Sequence, residues 1–218
     1  MLRVRASTLE KFRHLVVHYF VEQGEVINYV KAGQNGEQSL AMKVGSAWHK
    51  VLEDPTGTQV SDRQNGHDGI LFHRDFVLRI LQEIGPGERE KEYLKVFPSS
   101  SWGPVELKGT CDLVHGLEVS DFKTKVKSSP KVEDYERSLQ WPVYLTLTGG
   151  FKFIYWLFPA EEPDEDGFVF IGEPMVFSFW RYDGMEDRVQ EALFEFLQWA
   201  DLHGLLPYLD KDFVLSKS

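Results

Sequence analysis

Apolar residues along the first part of the chain recur at helical spacing. Leu9, Phe12, Val16 and Phe20 follow Ser7 and Glu10, whose separation matches a capping box, and the pattern predicts a helix over about 8–23. After the glycine- and amide-rich loop KAGQNGEQS, the positions Leu40, Val44, Ala47 and Val51 predict a second helix, ended by Pro55 and Gly57. Ile70, Val77, Ile80 and Leu81 predict a third over about 68–84, stopped by GPGERE. From Tyr93 the period becomes that of strands, in EYLKVF, VELKGTCDLV and LEVSDFKTKV, the last two joined by a turn at His115 and Gly116. Ser128, Ser129 and Pro130 open a helix carrying Leu139, Val143 and Leu147, closed by Gly149 and Gly150. The continuous apolar run FKFIYWLF suits a strand covered on both faces. A further strand is expected near Met175 to Trp180, and Val189, Leu193, Phe196 and Ala200 define a closing helix.

Composition narrows the functional field. A chain of 218 residues with 42% hydrophobic side chains can build one core without staples, so a single domain over 1–218 is expected. The one cysteine, Cys111, excludes an internal disulfide, a CxxC redox pair and a four-cysteine iron–sulfur cluster. No apolar run reaches the roughly 20 residues that span a bilayer. The start MLRVRASTLEKF lacks the apolar stretch of a signal peptide, so an intracellular protein is expected, in a cell or encoded by a virus, with no membrane partner. No GxxxxGK[ST] occurs, which leaves no site for a nucleotide cofactor or motor. A net charge of −10 looks hostile to nucleic acid, but residues 160–201 hold twelve acids against Arg181 and Arg188, and the rest of the chain is neutral. That acidic stretch is either a solvated face or a border that repels nucleic acid.

The chemistry concentrates in GTCDLVHGLEVSDFKTK. With a turn at His115 and Gly116, Asp112 lies opposite Val119, and Asp121 becomes its diagonal neighbour on the face that also carries Lys123 and Lys125. Diagonal carboxylates, roughly 7 Å apart at Cβ, can share one hard cation such as magnesium or manganese. A surface strand with alternating charge gives the same pattern. On the second helix Gly45, His49 and Glu53 form one ridge, and Arg137, Gln140 and Tyr144 share a face of the helix after the hairpin. Lys125, Lys127, Lys131 and Arg137 make 123–137 the most basic stretch. His14 and His18 have zinc-pair spacing without further ligands, and Trp102 in SSSWGP could stack on a base.

Together these segments resemble the RecB-type exonuclease branch of the PD-(D/E)XK nuclease superfamily. The sequence shows GSAWHKVLE for the GxxxHxxLE helix, GTCD for GxxD, VSDFKTK for (D/E)xK with a following Thr, QWPVY for QxxxY and RASTLEKF for the opening SxSxLxxF. The resemblance covers about residues 5–150, and no motif falls beyond 160. It implies an α/β restriction-endonuclease-like core, a central mixed sheet flanked by helices, with the motif-bearing part over about 5–158 and an acidic strand and helix over 160–218. It further implies that Asp112, Asp121 and the main-chain carbonyl of Phe122 bind Mg2+ or Mn2+, with His49 completing the site and Lys123 catalytic. Gln140, Tyr144 and Lys125 would meet the substrate, and Glu53 and Glu92 are second-tier candidates. The implied activity is a metal-dependent deoxyribonuclease, an exonuclease on DNA ends or single strands in recombination, repair or replication. A separate helicase, recombinase or single-strand-binding protein would be its partner. The alternatives are a non-catalytic DNA-binding or assembly subunit and a nuclease for RNA. Three departures stand out: Cys111 replaces the nominal Pro, Pro142 interrupts Gln140 and Tyr144 with an expected kink, and the cluster-binding cysteines of some relatives are missing.

Overall fold

The computed structural model describes residues 1–18, 23–32, 39–54, 59–60, 63–67, 69–126 and 132–209, the side chains of 17–18, 32, 59–60 and 63–67 excepted. In chain order the elements are β1 (Arg3–Arg5), α1 (Ala6–Phe12), a π-helical segment (Arg13–His18), α2 (Gln23–Ala32) and α3 (Leu40–Glu53). They continue with β2 (Gln59–Val60), β3 (Arg63–His67), β4 (Ile70–His73), α4 (Arg74–Ile84), β5 (Glu88–Phe97), β6 (Val105–His115), β7 (Glu118–Val126) and α5 (Val132–Glu136). The last are α6 (Gln140–Thr148), β8 (Lys152–Ala160), β9 (Met175–Trp180), α7 (Met185–Leu202) and α8 (Leu206–Leu209). Six strands form a mixed central sheet in the order β1-β6-β7-β8-β9, with β5 on the other side of β6, and β2, β3 and β4 make a small second sheet.

Alternation on the long strands builds two cores. On one face Val119, Phe153, Tyr155 and Leu157 pack with Leu9 and Phe12 of α1, Val143 and Leu147 of α6, and Val189, Leu193 and Phe196 of α7. On the other, Leu113, Phe122 and Phe158 pack with Val44, Trp48 and Val51 of α3 and Val77 and Ile80 of α4. Strand β8, fully covered at Phe153, Tyr155, Leu157 and Phe158, is the buried apolar strand its run of side chains predicts.

Several elements depart from the sequence pattern. The expected helix over 68–84 begins only at Arg74, because Ile70 and Phe72 alternate inward as strand β4, paired with β3. The ERE of GPGERE belongs to β5, which runs through it to pair with β6. Glu10 makes no capping box: Arg5 stands at the N-cap of α1 without a side-chain bond, and the Glu10 carboxylate reaches α6 instead. The helix expected after Pro130 is broken between α5 and α6, so Arg137 leaves the face it was expected to share with Gln140 and Tyr144. Helix α6 runs unbroken through Pro142. This proline is the third residue of that helix, where an amide has no partner within the helix to lose.

Acidic residues of 160–201 are partly met by distant bases: Glu173 by Arg79, Glu186 by Lys95 and Glu195 by Arg13. Asp164 is turned inward on its own loop, accepting from the amides of Asp166 and Phe168. Trp102 is half-buried against α7, with its ring 5.9 Å from that of Phe194, so it packs rather than presenting a platform for a base. Lys127 and Lys131 lie outside the described residues, as does the side chain of His18. Among the described residues no helix is long and apolar enough to cross a membrane.

Two glycines set helix-to-sheet distances. A Cβ on Gly109 of β6 would stand 2.6 Å from Tyr144 Cε1 and 2.9 Å from Leu147 Cδ1, so α6 lies against bare backbone. A Cβ on Gly45 of α3 would stand 2.8 Å from Thr124 Oγ1 of β7. Gly109→Ala should therefore destabilise the fold by about 1–3 kcal/mol through overpacking, measurable as a lower denaturant midpoint at unchanged m-value.

Candidate active site

Strands β6 and β7 pair only next to their turn. Leu113 faces Ser120, Val114 faces Val119 and His115 faces Glu118, so the turn is Gly116–Leu117, with Gly116 at φ 61°. This shifts the expected register: the next position of the ladder sets Asp112 against Asp121 directly, not diagonally. There the strands part, because β6 takes β1 as its neighbour from Lys108 back to Glu106. The amide of Phe122 loses a main-chain partner and donates to Asp112 Oδ2 at 2.7 Å. Both carboxylates thus stand in a split in the sheet, reachable by helices from either face.

From one face α3 brings His49, one turn beyond Gly45. Its Nε2 lies 2.6 Å from the Phe122 carbonyl oxygen, which can only accept, so the proton sits on Nε2. Its Nδ1 lies 3.7 Å from Asp112 Oδ2. The Phe122 carbonyl, expected as a ligand, is here occupied by His49. From the other face α6 brings Gln140, whose Nε2 donates to Asp121 Oδ1 at 2.7 Å. Lys123 Nζ stands 2.9 Å from Asp121 Oδ1 and 2.7 Å from Oδ2.

Glu90 of β5 completes the arrangement and was not foreseen from sequence. Its neighbours Arg89 and Lys91 face Leu113 and Cys111, which places Glu90 across from Asp112. One ligand atom each of His49, Glu90 and Asp112 lie within 4.8 Å of one another. Glu90 has φ 47°, unusual for a residue with a side chain and costing of order 1–3 kcal/mol. With GPGERE read as a helix stop and strands only from Tyr93, it stayed hidden, since only the β5–β6 register reveals which acid faces Asp112.

The other expected residues fall elsewhere. Glu92 pairs with Lys108, and Glu53 is exposed and pairs with Lys50, so neither joins the cluster. Tyr144 is 9% exposed, stacked on Phe153 and against Gly109, which makes it a support for α6 rather than a surface for substrate. Lys125 is half-buried on β7, two residues beyond Lys123.

Burial, opposed by Lys123 and aided by Asp112, pushes the Asp121 carboxyl up to about 6. Burial also raises Glu90, again with help from Asp112. For Lys123 burial works against the charge, but Asp121 and Asp112 outweigh it and hold the ammonium above its ordinary range. Burial drives the Cys111 thiol far up, leaving it inert. The carboxylates of Asp112 and Glu90 and the imidazole of His49 are oxygen and nitrogen donors close enough together to hold one divalent cation.

No family model matches the sequence, and no curated protein does. Solved structures do match. The chain is similar over 98% of its length to 89% of a candidate exonuclease from Eubacterium rectale, at 13% identity and a TM-score of 0.51. Over 99% of its length it is similar to 89% of the protein SSO0001, at 12% identity and a TM-score of 0.50. An alkaline exonuclease from Laribacter hongkongensis matches over 95% of this chain and 91% of its own, at 12% identity and a TM-score of 0.44. The likeness is one of fold: a mixed six-stranded sheet flanked by helices.

The charge balance at Asp121 has a direct readout. Carboxyl NMR of the metal-free protein should show Asp121 titrating near 6, moved higher in Lys123→Met and lower in Asp112→Asn. Because the folded state holds this proton above the ordinary 3.8, the group adds stability as pH falls through 6 toward 4. A titration near 4, insensitive to both substitutions, would contradict the burial argument.

Proposed function

We propose that this protein is a divalent-metal-dependent deoxyribonuclease acting as an exonuclease on DNA ends or single strands. One observation carries the reading: Asp112 and Asp121 meet where β6 and β7 part, with Lys123 on Asp121 and with His49 and Glu90 beside Asp112. The likeness in fold to the candidate exonuclease from Eubacterium rectale supports it. Asp112, Asp121, Glu90 and the Nδ1 of His49 would hold Mg2+ or Mn2+. When bound, the ion would neutralise charge on the phosphate and make water a better nucleophile.

The protein's own groups divide the remaining work. Lys123, kept charged by two carboxylates, is a poor base, and its role is to hold the attacking water and the phosphate by donated hydrogen bonds. Gln140 fixes one oxygen of Asp121 and so aims the other. Lys125, two residues beyond Lys123 on β7, would meet the phosphate that follows.

Digestion of end-labelled single- and double-stranded DNA with magnesium or manganese tests this. Asp121→Ala and Lys123→Ala should each lose about 10²-fold or more in rate. Glu90→Gln should lose activity while Glu92→Gln keeps it. An inert wild type under every metal and DNA form, or full activity in Asp121→Ala, would refute the assignment.

A further inference from the structure

The helix expected to be continuous from Pro130 is broken just before Gln140, and the break is held from a distance. Glu10 of α1 accepts from both Leu139 N, at 2.7 Å, and Ser138 Oγ, at 2.9 Å. Ser138 Oγ in turn accepts from Gln140 N at 3.0 Å. The N-cap residue Leu139 has no side-chain acceptor of its own, so a carboxylate 129 positions away supplies the cap of α6. A negative group there also suits the positive end of the helix. Gln140 is the first residue of that helix, and its Nε2 donates to Asp121 Oδ1 at 2.7 Å. Tyr155, beside Asp121 on β8, reaches toward both Ser138 Oγ, at 3.5 Å, and Gln140 Oε1, at 3.4 Å.

We infer that Glu10 is a positioning residue for the metal site. By fixing Ser138 and Leu139 it sets where α6 begins, and thereby aims the Gln140 amide that orients Asp121. Glu10 is three bonded contacts from the carboxylate and touches neither metal nor DNA. This rests on the metal-site reading above, which is why its test uses ion binding rather than cleavage.

The physical reason lies in the reach of Gln140. An amide at the first helical position moves with any shift in the helix start. A slip of one residue, which a break without a cap permits, would turn Gln140 off the helix face and leave Asp121 Oδ1 to Lys123 alone, without the amide that fixes its direction. Groups that orient a metal ligand typically govern affinity by about 10–100-fold, and Glu10, acting one step further out, is expected to weigh about 3–10-fold.

The experiment titrates Mn2+ into the full metal-free chain by calorimetry, for wild type, Glu10→Ala, Glu10→Gln, Ser138→Ala, Gln140→Ala and the Glu10→Ala/Gln140→Ala pair, with thermal unfolding alongside. Glu10→Ala and Ser138→Ala should weaken Mn2+ binding about 3–10-fold, and Glu10→Gln, which keeps an acceptor, should recover most of it. In the Gln140→Ala background Glu10→Ala should cost no further affinity, although its loss of thermal stability should remain. Unchanged affinity in Glu10→Ala with lowered stability would make Glu10 purely structural and overturn the inference. So would an equal loss in the Gln140→Ala background. Absence of Mn2+ binding in wild type would instead bring down the metal-site reading, and this inference with it.

Discussion

The parting of β6 and β7 at Asp112 and Asp121 is the constraint from which the rest of the site follows. A continued ladder would close main-chain bonds at this point and leave the carboxylates as ordinary cross-strand neighbours. Instead the edge of β6 is taken over by β1, and the freed Phe122 amide is satisfied by Asp112 itself. A carboxylate thus replaces a carbonyl in the ladder. The split is narrow enough to bury Asp121 to 3% exposure and wide enough for groups from helices on both faces to reach it.

Those helices are held by different devices that serve the same end. Gly45 lets α3 approach β7 closely, so that His49 comes within 2.6 Å of the Phe122 carbonyl. Gly109 lets α6 lie on β6, and Tyr144 fills the space a side chain there would have used. The glycines of the GxxxH and GxxD segments are in this sense distance settings. Their nearest neighbours, Thr124 and Tyr144, come from the (D/E)xK and QxxxY segments, so the four motifs are physically one contact system.

How much of this could be read from sequence depended on whether the determining partner was local. The helices α3 and α7 and the strands β6 to β9 are visible as periodicity, the nearness of Asp112, Asp121 and Lys123 as hairpin spacing, and the joining of His49 and Gln140 to them only through the resemblance to a known family. The misplacements share a cause. Ile70 has the spacing of a helix until pairing with β3 makes it a strand. The turn after His115 moves by one residue once φ 61° at Gly116 fixes its place. Glu90 and Glu92 are equivalent acids on paper, and only the register with β6 sends the first to Asp112 and the second to Lys108. Glu10 had a plausible local partner in Ser7, but the stronger demand came from an uncapped helix start far along the chain.

The electrostatics of the split constrain the chemistry more tightly than the inventory of residues does. Burial makes a negative charge on Asp121 costly, and the nearby charge of Asp112 adds to the cost. Lys123 offsets part of it, yet the same two acids that need its charge also prevent its loss. A lysine so held cannot exchange protons easily near neutral pH, so a base must come from elsewhere or from the solvent. A second positive charge placed among Asp112, Asp121 and Glu90 would relieve all three acids at once, and it would weaken the hold on the Lys123 proton as well. The geometry is therefore one of compressed negative charge. The backbone of Glu90, held at φ 47°, sets its carboxylate beside Asp112 and His49 at a cost in strain, and so adds a further acid to the charge already gathered at Asp112.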